Sequence, residues 1–479
     1  MQECQDRAKI LLRAIICWPR PGELLCPRAV RRSSEKIAWQ ILPGHPLRQF
    51  MFDSTVSRSW LAGGALLAAG AVSIADEWSQ YRGPDGAGIA SEKIATTWPA
   101  AGPKRFWRAE TTAGFSSLAL GDGKAFTVVA RSVAGSPAEV CIALDATSGK
   151  EVWATPTGNA KYQGGGDSGT DDNKGGDGPR STPAVSGNRV YVYSSDMVLH
   201  CLDAATGKPV WKKDIIAEFG GKNLGWKSAM SPRIDGELVY VAGGGAGQSM
   251  LAFNKGSGAT AWKTGDEIAT HATAVVATIQ GVRQVIFLMQ SGLVAREARS
   301  GKSLWTFPFT WRTCTGCSPI VAGDIVVCSA GYDVGGAACK VVRNSAGFEA
   351  KELWRVKGNG AVASLWSTPV QKDGCLYGMI SFKRFGNGPL KCVDVQTGAV
   401  KWEQPGFGAG QVLLAGNYLV ALSDDGEVVL VDPSPSGYKE ISRFKAVEGK
   451  CWSSPALSQG RLYVRSTKEG ACFDLAPGN

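Results

Sequence analysis

From Ser181 to Trp211 the chain alternates apolar and polar residues in short runs, STPAVSGNRVYVYSSDMVLHCLDAATGKPVW. Ala184 to Ser186, Val190 to Tyr193 and Val198 to Leu202 read as strands, separated by Gly-Asn and Ser-Ser-Asp turns. An Asp-x-x-x-Gly-Lys turn then leads into a fourth strand that ends on Trp211. The pattern predicts a four-stranded antiparallel meander, and it recurs. Counting units by their terminal aromatic gives Trp107, Trp153, Trp211, Trp262, Trp305, Trp354, Trp402 and Phe444, spaced 42 to 58 residues apart. A period of that length is the mark of propellers and solenoids.

The two ends of the array are incomplete in complementary ways. After Phe444 the sequence supplies three strands, Ser454 to Leu457, Arg461 to Arg465 and Gly470 to Leu475, and no closing aromatic. Lys104 to Arg108, bearing Trp107, stands alone ahead of the first three-strand set and supplies the missing fourth strand. Joining them removes two exposed edges. The predicted fold is all-β: one eight-bladed propeller over residues 76–479, closed by overlap of its N- and C-terminal strands.

Composition alters this picture at the N-terminus. The net charge is +10, but residues 1–50 hold nine Lys and Arg against four acids, so half of the excess precedes the repeats. The rest is spread without a basic run, which argues against nucleic acid as a partner. Residues 1–50 read as a leader or a mis-called start, disordered and outside the fold. From Met51, Arg58 precedes an apolar run from Trp60 to Val72, and Ser73-Ile74-Ala75 offers small residues for cleavage after Ala75. Residues 51–75 are thus expected to be a signal peptide, too short for the roughly 20 residues of a bilayer span. The cleaved chain is expected in the periplasm or otherwise exported, not transmembrane, and monomeric. Residue 76 is Asp, so a lipid anchor has no cysteine acceptor there.

Cysteine usage fits a core role better than a disulfide framework. Cys201, Cys392 and Cys472 each stand two residues before an Asp in a third strand, with Cys141 in the equivalent strand of its unit. They read as small buried hydrophobes.

The units Leu202 to Trp211 and Leu144 to Trp153 follow Leu-Asp-Ala-x-x-Gly-Lys-x-x-Trp. This resembles the repeat of the pyrroloquinoline quinone (PQQ) enzymes, over residues 78–475. The opening Trp78-Ser79-Gln80-Tyr81-Arg82-Gly83-Pro84-Asp85-Gly86 and the Gly-Pro-Arg-Ser-Thr-Pro at 178–183 resemble PQQ-binding-like propeller proteins. Relatives in that superfamily include quinoprotein alcohol dehydrogenases and the propeller lipoprotein of the outer-membrane barrel assembly machine. The repeat itself is a packing motif, its Trp and Gly residues locking one blade to the next.

Candidate chemistry gathers at one mouth of the channel. Aligned on the Ser-x-Pro that starts each inner strand, the residues three before the Pro-equivalent are Phe115, Arg180, Ala229, His271, Gly316, Trp366, Ala409 and Trp452. Phe115, Arg180, His271, Trp366 and Trp452 suit a flat, anionic or polyhydroxylated ligand, because rings stack and guanidinium forks grip carboxylates. The alternative is that the aromatics plug the channel. His271 is open to two readings, general base or hydrogen-bonded structural residue.

Cys314 and Cys317 form a CxxC at the same mouth and are open to three: a disulfide, two free thiols, or a metal or redox pair, with Cys451 and His271 as further zinc ligands. The loop 164–178 carries Asp167, Asp171, Asp172 and Asp177, matches no EF-hand, and reads as a solvated flap. No catalytic residue is assigned.

The resemblance implies, for its dehydrogenase members, a quinone held on calcium by acidic and amide side chains, an Asp base and a vicinal disulfide. The chain has no Cys-Cys pair and the predicted ring no carboxylate. The functional expectation is a scaffold in the cell envelope that binds envelope proteins or a small polar or glycan ligand. A PQQ- and calcium-dependent dehydrogenase of alcohols, sugars or polyols is the first rival. A carbohydrate-binding or lyase-like propeller is the second.

Overall fold

The computed structural model describes residues 77–478, apart from 100, 113, 163–177 and 312. The leader, the signal peptide and nearly all of the Asp-bearing loop therefore lie outside the described residues. Those residues form eight four-stranded sheets in an eight-bladed β-propeller, one of which gains a fifth strand. The second blade runs from its inner strand Ala184–Ser186 through Arg189–Tyr193 and Val198–Asp203 to the outer Pro209–Asp214, each antiparallel to the last. Its second strand is buried but for Arg189, its third is buried at three of six positions, and its outer strand has no buried residue.

Ring closure follows the sequence expectation. Arg105–Glu110 pairs antiparallel with Glu469–Asp474, Trp107 opposite Cys472, so the eighth blade is made from both ends of the array. Each terminal Trp faces a small residue on its neighbour strand: Cys201 opposite Trp211, Cys392 opposite Trp402, Ala252 opposite Trp262. The cysteines of this slot are buried free thiols. Cys141, also buried, pairs with Thr155, and Ala143 takes the slot opposite Trp153.

The indole then reaches across to the next blade. Trp153 Nε1 donates to Ala204 O (3.0 Å), Trp211 to Lys255 O (3.2 Å), Trp262 to Ala298 O (2.9 Å), Trp354 to Val395 O (2.8 Å) and Trp402 to Ser434 O (2.8 Å). The glycine of the receiving turn lies flat on that ring. Gly207, at φ +71°, would place a Cβ 2.6 Å from Trp153, so both its left-handed backbone and its missing side chain are required. The seventh blade departs. Ser442, opposite Leu430, holds its Trp slot, and Phe444 sits two residues on against Trp98 and Phe473 (centroids 5.2 and 4.9 Å). The longer turn before Lys439, whose carbonyl accepts from Asp432 N, leaves the register unchanged: Ser442 stands three residues after Lys439 as Trp211 does after Lys208.

The opening motif has an architectural role that the repeat does not foretell. Trp78 O accepts from Leu120 N, Ser79 O from Val185 N, and the Gln80 amide pairs both ways with Ile234. The buried Arg82 guanidinium donates to Thr368 O (2.6 Å) and Pro369 O (2.8 Å). Ile89–Ala90 then adds as a parallel strand to the inner edge of Gln411–Ala415 in the seventh blade. Successive residues thus visit the inner strands of the first, second, third, sixth and seventh blades, carrying this segment across the axis. Ile215–Phe219 is the one α-helix among the described residues, capped by Asp214 and by Gly220. None there is long and apolar enough to cross a membrane.

Candidate functional site

The Ser-x-Pro signal turns out to be a hydrogen-bonding device. The residue before each Pro-equivalent is Ser117, Thr182, Ser231, Thr273, Ser318, Thr368, Gln411 or Ser454. Ser454 N donates to Ser117 Oγ (2.8 Å), Ser117 N to Thr182 Oγ1 (3.0 Å), Thr182 N to Ser231 Oγ (2.9 Å), Ser231 N to Thr273 Oγ1 (3.0 Å) and Ser318 N to Thr368 Oγ1 (3.0 Å). At these five seams the hydroxyl of one blade satisfies the buried amide of the blade before it. Two residues upstream of this relay lies the ring read from the sequence.

Seven of its eight members, all but Ala409, line one open cavity of about 590 Å³, and Phe115, Arg180, His271, Trp366 and Trp452 are all among them. Ala409 packs beside Phe115 and Trp452. Tyr81 of the axial segment joins the lining, with Trp226, Tyr332, Lys383 and Phe385. These last four come from irregular loops between blades or between second and third strands, where no repeat position marks them.

One wall is continuous aromatic surface. Phe115 stacks on Trp452 at 4.8 Å and Phe385 on Trp452 at 5.5 Å, while Trp366 meets Trp452 at 4.6 Å with the rings tilted by 33°. Lys450 Nζ lies 4.9 Å from the Trp452 ring centroid and 5.9 Å from that of Phe115. Opposite, Arg180 Nη1 donates to Trp226 O (2.7 Å) and its guanidinium lies over Tyr162 (5.6 Å). His271 Nε2 lies 3.0 Å from Gly225 O, so the ring donates there. Arg180 and His271 together clamp a loop in which Trp226 and Lys227 both adopt left-handed φ of 61°.

Burial, and then Arg180, push His271 down to about 4, which keeps it neutral. Beneath Tyr162, Glu139 is 1% exposed and accepts from Tyr162 Oη (2.6 Å) and Ser195 N (3.0 Å). Burial raises its carboxyl above the ordinary range despite both bonds.

The CxxC divides between two environments. Cys314 lines the cavity, its Sγ 3.8 Å from Tyr332 Oη, whereas Cys317 is fully buried in the core between the fifth and sixth blades. Both are free thiols, so the disulfide reading is corrected: one side chain turns to the mouth and the other into the core. Burial pushes Cys317 up to about 11 and raises Cys314, leaving neither activated. Cys451 is buried elsewhere with its thiol toward Gly449 O. Among the described residues no three His, Cys, Asp or Glu side chains gather as a metal site.

The family model described as outer membrane protein assembly factor BamB matches residues 136–404, more than half of the chain. The chain belongs to this family. BamB of Shewanella oneidensis is 23% identical over 266 residues, 53% of this chain and 64% of that protein, so the chain spans just under two thirds of this relative. BamB of Yersinia pestis is 23% identical over 306 residues, 60% of this chain and 74% of the relative.

Among solved structures, BamB from Moraxella catarrhalis superposes with a TM-score of 0.53 at 15% identity, covering 78% of this chain and 99% of that one. Quinohemoprotein alcohol dehydrogenase from Comamonas testosteroni gives 0.57 at 14%, covering 84% and 82%. Both share the fold, and the repeat is of the PQQ type.

Fold likeness to a quinohemoprotein makes the donor set of this BamB-family mouth worth testing against a calcium-held quinone. Calcium takes six to eight oxygen ligands. The described lining holds no Asp or Glu, its formal charges are Arg180 and Lys383, and Ser117, Ser231 and Thr273 already accept backbone amides. Those residues do not fit that cofactor.

Proposed function

We propose that this chain is an exported, monomeric β-propeller of the cell envelope that serves as a binding or protein-interaction scaffold, with the axial mouth as its contact surface. The observation that carries the reading is the mouth itself: an open cavity walled by stacked rings and flanked by cations, with no carboxylate in the described lining. Such a surface recognises a partner and carries no acid, base or nucleophile poised for turnover; its one histidine is held neutral against a backbone carbonyl. Membership of a family named for outer membrane protein assembly supports a protein partner. The signal at residues 51–75 supports export.

The test is photocrosslinking in cells, with benzoylphenylalanine at Phe385 in the mouth and, as control, at the exposed Val152 on the outer strand of the first blade. Discrete adducts with envelope proteins from position 385 alone are expected. Absence of mouth adducts, together with saturable, calcium-dependent quenching of tryptophan fluorescence by PQQ, would replace the scaffold with the dehydrogenase reading.

A further inference from the structure

We infer that the axial mouth is a saccharide site, which holds a pyranose ring or a short chain of such rings by hydrogen bonds to Trp452, Gln411 and His271. The inference goes beyond the scaffold reading and does not depend on it.

Three side chains of the lining each carry a buried polar atom with no hydrogen-bond partner among the described residues: Trp452 Nε1, Gln411 Oε1 and His271 Nδ1. What each of them needs is fixed by chemistry. An indole nitrogen only donates. Gln411 Nε2 donates to Trp452 O (3.2 Å), which makes its other amide atom the accepting oxygen. His271 Nε2 donates to Gly225 O (3.0 Å) and burial keeps the ring neutral, so Nδ1 is a bare acceptor. The hydroxyls of Ser117, Ser231 and Thr273 line the same cavity. Each accepts a backbone amide in the blade relay, and none donates its own proton to a described residue.

A buried polar group left unanswered costs free energy, so a guest that fills this cavity has to answer these atoms. It must bring donors for Gln411 and His271 and acceptors for Trp452 and the hydroxyls. A carboxylate brings no donor, and an apolar ring brings neither. An alcohol brings both on one atom. The polar atoms also stand on two sides: Trp452 and Gln411 open the eighth and seventh blades, whereas His271 precedes the inner strand of the fourth, across the axis. The guest therefore carries hydroxyls around its circumference.

The aromatic wall selects among such guests. Trp366 and Phe385 are half-buried and stacked at 6.1 Å, with Phe115 and Trp452, 8% and 9% exposed, behind them. The negative face of an aromatic ring attracts the C–H groups that one face of a pyranose presents. A linear polyol offers the hydroxyls without that flat C–H face, so the ring form satisfies the polar atoms and the wall together. A cavity of about 590 Å³ lies within the ordinary range for small-molecule sites.

The experiment titrates the chain from Asp76 onward with cellobiose and with N,N′-diacetylchitobiose. Calorimetry measures affinity, and saturation-transfer NMR reads contact between sugar C–H groups and the rings. Two further ligands run beside them: permethylated cellobiose, which keeps the rings and acceptors but has no donor, and naphthalene-2-carboxylate, which is flat and has no donor either. Saturable binding of at least one disaccharide at millimolar concentration is expected. It should weaken at least tenfold on permethylation and in Trp452→Phe. That substitution keeps an aromatic ring and removes an N–H that has no partner in the protein, and circular dichroism checks the fold.

Equal binding of permethylated cellobiose overturns the assignment without touching the protein, since Gln411 and His271 would then receive nothing from the guest. Undiminished binding by Trp452→Phe overturns the role of the indole N–H. Tighter binding of naphthalene-2-carboxylate than of either disaccharide reassigns the mouth to a flat anion. If neither disaccharide binds while position 385 still crosslinks, this inference fails and the scaffold reading stands. If one binds and position 385 gives no adducts, the saccharide site stands and the scaffold reading fails.

Discussion

The indole of Trp107 donates to the carbonyl of Ala146 at 3.0 Å, and Gly149 packs against the same ring, so the strand that completes the eighth blade docks on the turn of the first. This is the bond that five other blades make to their neighbours, here used to shut the ring. The fourth blade breaks the rule. Trp305 Nε1 turns to Gln284 Oε1 (2.7 Å) within its own sheet, and the seam to the fifth blade is held by Arg355, which donates to Pro308 O and lies over Phe307 and Phe309. The seventh substitutes the Phe444 contacts.

Trp107→Ala therefore removes a buried ring and the closing hydrogen bond at once. A loss of about 3–5 kcal/mol is expected, within the range for large aromatic truncations in a core. Urea unfolding followed by circular dichroism measures it. Since the closing strand anchors both ends, the transition should also broaden. A cost under about 1 kcal/mol would mean that closure does not depend on this dock.

The hydroxyl relay makes a second, internally controlled prediction. Thr182→Val keeps the shape but strands the buried amide of Ser117, whose acceptor is Thr182 Oγ1. A stability loss of about 1–3 kcal/mol follows. Ser318 occupies the same position in the fifth blade, yet its Oγ is buried without a hydrogen-bond partner. Ser318→Ala should be near neutral or stabilising. Equal midpoints for the two variants in denaturant titration would remove the relay as an energetic device.

What the sequence made legible is what repeats. Seven terminal tryptophans, the borrowed strand carrying Trp107 and the ring residues are each marked by a fixed position in a unit that packing forces to recur. Phe444 misled by two residues because the slot itself carries no aromatic: Ser442 holds it, and Phe444 is the next aromatic along the strand. The axial segment from Trp78 onward was read only as a mark of kinship. Its partners, Leu120, Val185, Ile234 and Thr368, are far apart in sequence, and local patterning cannot show contacts of that kind. Tyr332, Lys383 and Phe385 were missed for a related reason, since loops carry no periodicity. Cys314 and Cys317 are close in sequence, but only the direction of each side chain separates them.

Acid should destabilise the fold through its histidines. Burial holds both His271 and His200 down to about 4 from an ordinary 6.5. Between those values the unfolded chain binds protons that the folded chain does not, so stability is full above about pH 6.5 and falls as the pH drops toward 4. Glu139 has the opposite sign. Raised by burial, it stays protonated in the fold above its unfolded value of 4.5, and stability falls as the pH rises through that window. In Glu139→Gln the acid-side loss should therefore be steeper, and adding His200→Gln should flatten it. Thermal midpoints from pH 4 to 7 decide; an unchanged slope in the double variant would exclude His200 as a contributor.

The last prediction concerns how the mouth is held. Asp424 is 9% exposed, and its Oδ2 accepts from Gly386 N (2.9 Å) and Ala409 N (3.0 Å). Gly386 follows Phe385, and Ala409 belongs to the predicted ring, so one carboxylate ties the loop bearing the outermost stacked ring to the start of the seventh blade. Gly408, at φ +62°, leaves the space that this carboxylate fills. Asp424→Ala strands both amides, for about 1–3 kcal/mol, and releases Phe385 from its stack on Trp452. Amide exchange at Gly386 and Ala409 should quicken, and the yield of adducts from benzoylphenylalanine at position 385 should fall several-fold although Asp424 does not line the cavity. Asp424→Asn keeps an acceptor oxygen and should restore most of both. Faster exchange with an unchanged adduct yield from position 385 would show that partner contact at the mouth does not depend on how Asp424 holds this loop.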